Sequence, residues 1–153
     1  MKAFGLEDLT RKTMELVAAK KGVSLSSTLT SSHLSFFFLH LLMSHKDRQS
    51  LFVVLPSTKI CQSWHSLFLH YLQEPSSSAY KVAYLPAVSY WGTERYMNHS
   101  SLKMQRLQTY GYLKSGPTLV FTTLACLLQK TISVEDFDKA QITLSVGGEL
   151  DLE

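Results

Sequence analysis

Short continuous apolar runs alternate along this chain with longer stretches whose apolar residues fall three and four positions apart. The first rhythm predicts strands and the second helices. Leu51-Phe52-Val53-Val54-Leu55 is apolar at every position and closes on Pro56, which predicts a parallel strand covered on both faces. Tyr80-Lys81-Val82-Ala83-Tyr84-Leu85, closed by Pro86, and Thr118-Leu119-Val120-Phe121-Thr122, entered through Gly116-Pro117, read as further strands; Val23-Ser24-Leu25-Ser26 is a shorter alternating one. Leu34, Phe37, Phe38, Leu41 and Leu42 form one helical stripe. Ile60, Trp64, Leu67, Phe68, Tyr71 and Leu72 form another, behind a cap at Ser57 or Thr58, and Leu102, Arg106, Leu107 and Tyr110 mark a third. A helix over Glu7 to Ala19, with Leu9, Thr13, Leu16 and Val17 on one face, precedes them all. Strands and helices alternating in this way are the signature of βαβ crossovers, so the fold class is α/β, a parallel sheet with flanking helices.

The rhythm changes after Lys130. Ser133 to Phe137 reads as a short capped helix, and Gln141 to Val146 alternates like an exposed strand before Gly147-Gly148. We therefore expect one domain over residues 1–132, followed over 133–153 by a linker and the first strand of a second subdomain, the whole cut from a longer protein. A length of 153 residues suits one core, at roughly 100 to 200 residues per domain. With 45% hydrophobic and 18% charged residues the composition is that of a folded chain.

Charge divides unevenly. From Glu135 to Glu153 six acids face the single base Lys139, so the tail carries −5 of a formal net +3 and residues 1–134 carry +8. That excess attracts nucleic acid weakly, since the bases are spread over helices instead of clustered. Cys61 and Cys126 lie in apolar stretches without a CxxC pair and read as buried thiols of a reducing, cytoplasmic protein. His40 and His45, like His65 and His70, are five apart and fall on different helix faces, so no metal site is expected. Acids stand where an export signal runs apolar, and the most apolar run, Leu34 to Met43, falls short of the ~20 residues a bilayer span needs.

In a doubly wound sheet a nucleotide phosphate sits in the loop after the first strand. Here that loop runs from Ser26 to His33. A working phosphate loop needs glycines for close backbone approach, a lysine for the terminal phosphates and a hydroxyl for magnesium. In that register Ser26 and Ser31 stand at the glycine positions, Ser32 at the lysine and His33 at the hydroxyl. The loop lacks the full positive charge a triphosphate requires and carries added Cβ atoms, so no cofactor is expected. Serines beside histidines elsewhere lack a nucleophile elbow or a placed acid, and catalytic residues are expected nowhere in the chain. Trp64, Phe68 and Tyr71, at helical spacing, read as core; Tyr90-Trp91, between elements, is the candidate partner contact.

Leu85-Pro86-Ala87-Val88-Ser89-Tyr90-Trp91-Gly92, continuing through Arg95, Tyr96, His99 and Leu102 to Arg106-Leu107, resembles the N-terminal module of the bacterial transcription-repair coupling factor. Thr118 to Lys130 looks like that family's strand, threonine turn and Leu-Leu-Gln-Arg helix, and Ile142 to Leu152 is similar to the start of its second subdomain. Val88 and Trp91 depart from the family's acidic and proline spacing. The resemblance, in order from about Leu6 to Glu153, implies a degenerate RecA-like, helicase-like domain. Such a module is homologous to the damage-loading subunit of the bacterial excision nuclease but lacks its phosphate loop. The resemblance further implies a non-catalytic scaffold that works with the other domains of its own chain. The full-length parent would be an ATP-dependent DNA translocase that displaces stalled RNA polymerase at DNA damage and recruits the damage-recognition subunit of nucleotide excision repair.

The rival reading is a nucleic-acid backbone contact domain, with Lys103, Arg106, Thr122 and Thr123 as candidate DNA contacts. Thermal-shift and calorimetric titration with ATP and magnesium should give no stabilisation and no binding heat. A magnesium-dependent shift that disappears in Ser32→Glu would overturn the lost-loop assignment.

Overall fold

The computed structural model describes residues 8, 11–13, 15, 16, 19, 31–44, 49–72, 80–88 and 99–141. In chain order these form α1 (Ser31–Ser44), β1 (Leu51–Leu55), α2 (Thr58–Leu72), β2 (Lys81–Leu85), α3 (His99–Ser115), β3 (Thr118–Thr123), α4 (Leu124–Leu127) and α5 (Val134–Lys139). The expected strands at 23–26 and 142–146 fall outside the described residues. Residues 8, 11–13, 15 and 16 are helical; Thr13 is buried, while Arg11 pairs with Asp8 and Glu15 at the surface.

The three strands form one parallel sheet in the order β1-β3-β2. From β1 the chain passes through α2 to β2, leaving a gap that β3 later fills. It returns through α3 on the opposite face. Reversing both the direction and the face keeps one hand for the two crossovers, as right-twisted strands require. The class expected from the alternation, an α/β protein with a parallel open sheet flanked by helices, is the one observed.

Register decides which side chains meet. Leu51, Val53 and Leu55 share a face with Leu119, Phe121, Val82 and Tyr84. α1 and α2 close that face with Leu42, Cys61, Trp64, Phe68 and Leu72. Its centre is aromatic: the Phe68 and Phe121 rings lie 5.1 Å apart, and Trp64 and Phe38 stand 6.1 and 6.0 Å from Phe68. Trp64 and Phe68 are therefore core, whereas Tyr71 is exposed and meets the exposed Phe36 edge to face. Ser57 supplies the α2 cap, its hydroxyl accepting from Ile60 N–H at 3.3 Å.

On the opposite face Ala83, Leu85, Val120 and Cys126 pack under Tyr110, Tyr112 and Leu113 of α3. β1 does not share in this cover. Phe52 and Val54, level with Val120 and Thr122, remain 50% and 47% exposed. The expectation that β1 is covered on both faces is thus corrected: α3 lies over β2 and β3, and β1 is the edge of the described sheet. α5 docks beside α3 through Phe137, edge to face on Tyr110, and through the Lys114–Asp138 ion pair; the Ser133 hydroxyl accepts from Asp136 N–H at 3.1 Å.

Phe68 is fully buried at the meeting point of α1, α2 and the sheet. Phe68→Ala should lower unfolding free energy by about 3–5 kcal/mol in urea titration, whereas Leu128→Ser, at a 79% exposed position, should change it by no more than about 0.5 kcal/mol.

Candidate functional site

In open parallel sheets the carboxyl ends of the strands are where ligands gather. Here β2 leaves the sheet at Leu85-Pro86, beside the end of β3 at Thr122-Thr123. Pairing stops at this point, so the carbonyls of Leu85 and Pro86 need other donors. Thr122 donates its hydroxyl to Leu85 O at 2.9 Å, Arg106 Nη1 donates to Pro86 O at 2.9 Å, and the Cys126 thiol donates to the same carbonyl at 3.3 Å. One turn further along α3, the Thr109 hydroxyl reaches Tyr84 O at 3.1 Å.

Gln129 completes the cluster. Its Oε1 accepts from Val88 N–H at 2.9 Å and from Arg106 Nη1 at 3.3 Å, while its Nε2 donates to Val88 O at 2.7 Å. This is backbone pairing performed by a side chain, and it fastens the segment after Pro86 to the segment after α4. Arg106 Nη2 donates to Tyr110 OH at 3.1 Å and Nη1 also approaches Cys126 Sγ at 3.2 Å. The guanidinium is held by neutral acceptors from four residues. Arg106 is 8% exposed, and no described carboxylate lies within salt-bridge reach of it.

The candidate residues read from the sequence are distributed unevenly about this cluster. Arg106 and Thr122 belong to it, with both side chains bonded to backbone carbonyls at the end of the sheet. Thr123 is half-buried and Lys103 is exposed on the first turns of α3. His33 is exposed on the first turn of α1, the helix that Ser31 and Ser32 open. Ser26, Tyr90 and Trp91 lie outside the described residues. Sequence reasoning missed Gln129, Cys126 and Tyr110 as members of one polar cluster. The signal that could have promoted Gln129 is its amide at the end of an otherwise apolar Leu-Ala-Cys-Leu-Leu run.

Ionisable groups near the cluster are those of a packed interior. Burial pushes the Cys61 thiol up, and its Sγ donates to Thr122 O at 3.2 Å. Burial also raises Tyr84, against the lowering effect of its bond with Thr58, and lowers His65. A thiol held protonated is a poor nucleophile. Among the described residues no three His, Cys, Asp or Glu side chains gather as a metal site would need, and no helix is long and apolar enough to cross a membrane. Compared with known proteins, the chain matches no family model, no curated protein and no solved structure.

Gln129→Leu keeps the volume but strips Val88 of both partners and Arg106 of one. It should cost about 1–3 kcal/mol in chemical denaturation. Combined with Arg106→Leu, the loss should fall short of the sum of the two single losses, because both residues belong to one network.

Proposed function

We propose that this chain is the non-catalytic N-terminal module of a transcription-repair coupling factor, a degenerate RecA-like domain that serves as a scaffold. The observation that carries the reading is the convergence just described. Pro86, Arg106, Cys126 and Gln129 come from the separate segments on which the resemblance rests, and with the backbone of Val88 they close into a single hydrogen-bonded cluster. A shared sequence pattern acquires a physical reason: each member satisfies a polar group that another would leave bare.

The same cluster favours a scaffold over a catalyst. The carboxyl ends of β2 and β3, where an α/β enzyme keeps an open crevice, are here filled by side chains bound to backbone. Exposed apolar residues stand on the β1 face at Phe52 and Val54 and along the segment after β3 at Leu124, Leu127 and Leu128. Such surfaces suit a module that packs against further domains of its own chain. In this reading RNA polymerase, the damage-recognition subunit of excision repair and DNA are engaged through the full-length protein, and ATP is consumed by its translocase.

The reading is tested in cells. Removing the gene segment that encodes this chain should abolish the faster repair of transcribed over non-transcribed strands after ultraviolet damage, measured by strand-specific lesion mapping. An unchanged strand bias would overturn it.

A further inference from the structure

Three concavities run along α3, and their linings differ. Tyr110, Leu113, Ile132 and Val134 make one of about 290 Å³ under α5 largely apolar, and Gln108, Tyr112 and Gln141 contribute to another on its far side. The third, of about 210 Å³, is basic. Lys103 and Arg106 reach it from α3, Lys130 and Thr131 from the segment after α4, and Tyr110 and Ile132 contribute walls.

Three cations in one small concavity repel one another, and placing them there costs free energy unless negative charge offsets it. Among the described residues no acid stands in the lining. Asp138 pairs with Lys114, Asp8 and Glu15 pair with Arg11, and Asp136 accepts from the Ser133 hydroxyl. Arg106 matters most. Being 8% exposed, it is poorly screened by water, and its neutral acceptors fix the guanidinium without cancelling its charge. Lys103 and Lys130 are exposed on separate elements and can close from two sides. A fixed buried cation flanked by two exposed ones is an arrangement that recognises a compact multivalent anion.

We propose that this pocket is a phosphate-binding site, with Arg106 as the fixed charge at its base, Lys103 and Lys130 as the closing charges and the Thr131 hydroxyl as a further donor. The site is independent of the scaffold assignment. It lies between α3 and residues 130–132, and its described lining draws on no residue of the Ser26 to His33 segment at which a nucleotide was discounted. The ligand carries a phosphate group, either a phosphomonoester or a phosphodiester of a nucleic-acid backbone.

The test is calorimetric and NMR titration of the full 153-residue chain with inorganic phosphate, with sodium chloride at matched ionic strength as reference. Phosphate should bind saturably, with shifts centred on residues 103–106 and 130–132. Lys103→Gln with Lys130→Gln should weaken binding at least tenfold without lowering Tm. Lys59→Gln with Lys139→Gln, which removes the same net charge elsewhere, should leave it within twofold. A short single-stranded oligonucleotide distinguishes the sources: tighter binding than phosphate, with the same tenfold loss, assigns the site to nucleic-acid backbone. Oligonucleotide binding no tighter than phosphate assigns it to a phosphomonoester. Absence of saturable phosphate binding, or equal loss in the two double variants, would overturn the proposal.

Discussion

The fold depends on β3 finding a backbone partner along both of its edges. Its residues from Thr118 to Thr122 are buried, and Leu119, Val120 and Phe121 have no exposure at all, so none of its amides has water to bond. An unpaired buried amide costs as much as a lost hydrogen bond. β1 and β2 therefore have to flank it, and the chain has to lay down β2 one strand away from β1 and return to fill the gap. Two cores follow from that choice, since side chains of β3 alternate between them. Phe121 faces the aromatic group of α1 and α2, and Val120 faces the smaller set beneath α3.

A strand inserted last also fixes where the sheet must end. β2 stops at Leu85 because Pro86 has no N–H to continue the ladder. The carbonyls beyond the last pair turn to Thr122, Arg106 and Cys126, and Gln129 takes over the pairing of Val88. In many parallel sheets this end is left open and glycine-rich, so that a ligand's phosphate meets backbone amides. Here side chains donate to the free carbonyls and Gln129 accepts from Val88 N–H, which makes the end of the sheet a joint between elements.

Much of the framework was legible in the sequence because its signals are strong and local. Prolines closed β1 and β2 where predicted, the helical stripes fell on α1 and α2, α3 formed where a helix was expected, and Ser57 capped α2. The open face of β1 was not legible: Leu51 to Leu55 is apolar throughout, and such a run reads as covered on both sides whatever lies above it. Strand order was equally hidden, since it depends on which helix takes which face. Arg106 misled in another way. An arginine within an amphipathic helix reads as surface, and only the bare carbonyl of Pro86, a feature of tertiary structure, explains why it turns inward. Thr122 gave the appearance of a strand-end contact residue for the same reason, yet its hydroxyl completes the pairing of its own sheet.

The two edges of the described sheet are not equivalent. β2 begins with the exposed Lys81, whose ammonium bonds Ser115 and lies 5.7 Å from the centre of the Tyr112 ring, and it ends at a proline. Charge and proline both discourage another strand from pairing there. β1 is likewise closed by a proline, Pro56, but carries no charge, and its exposed side chains on the α3 side are Phe52 and Val54. An apolar edge is costly to expose and readily paired. Among the described strands β1 is therefore the less protected edge.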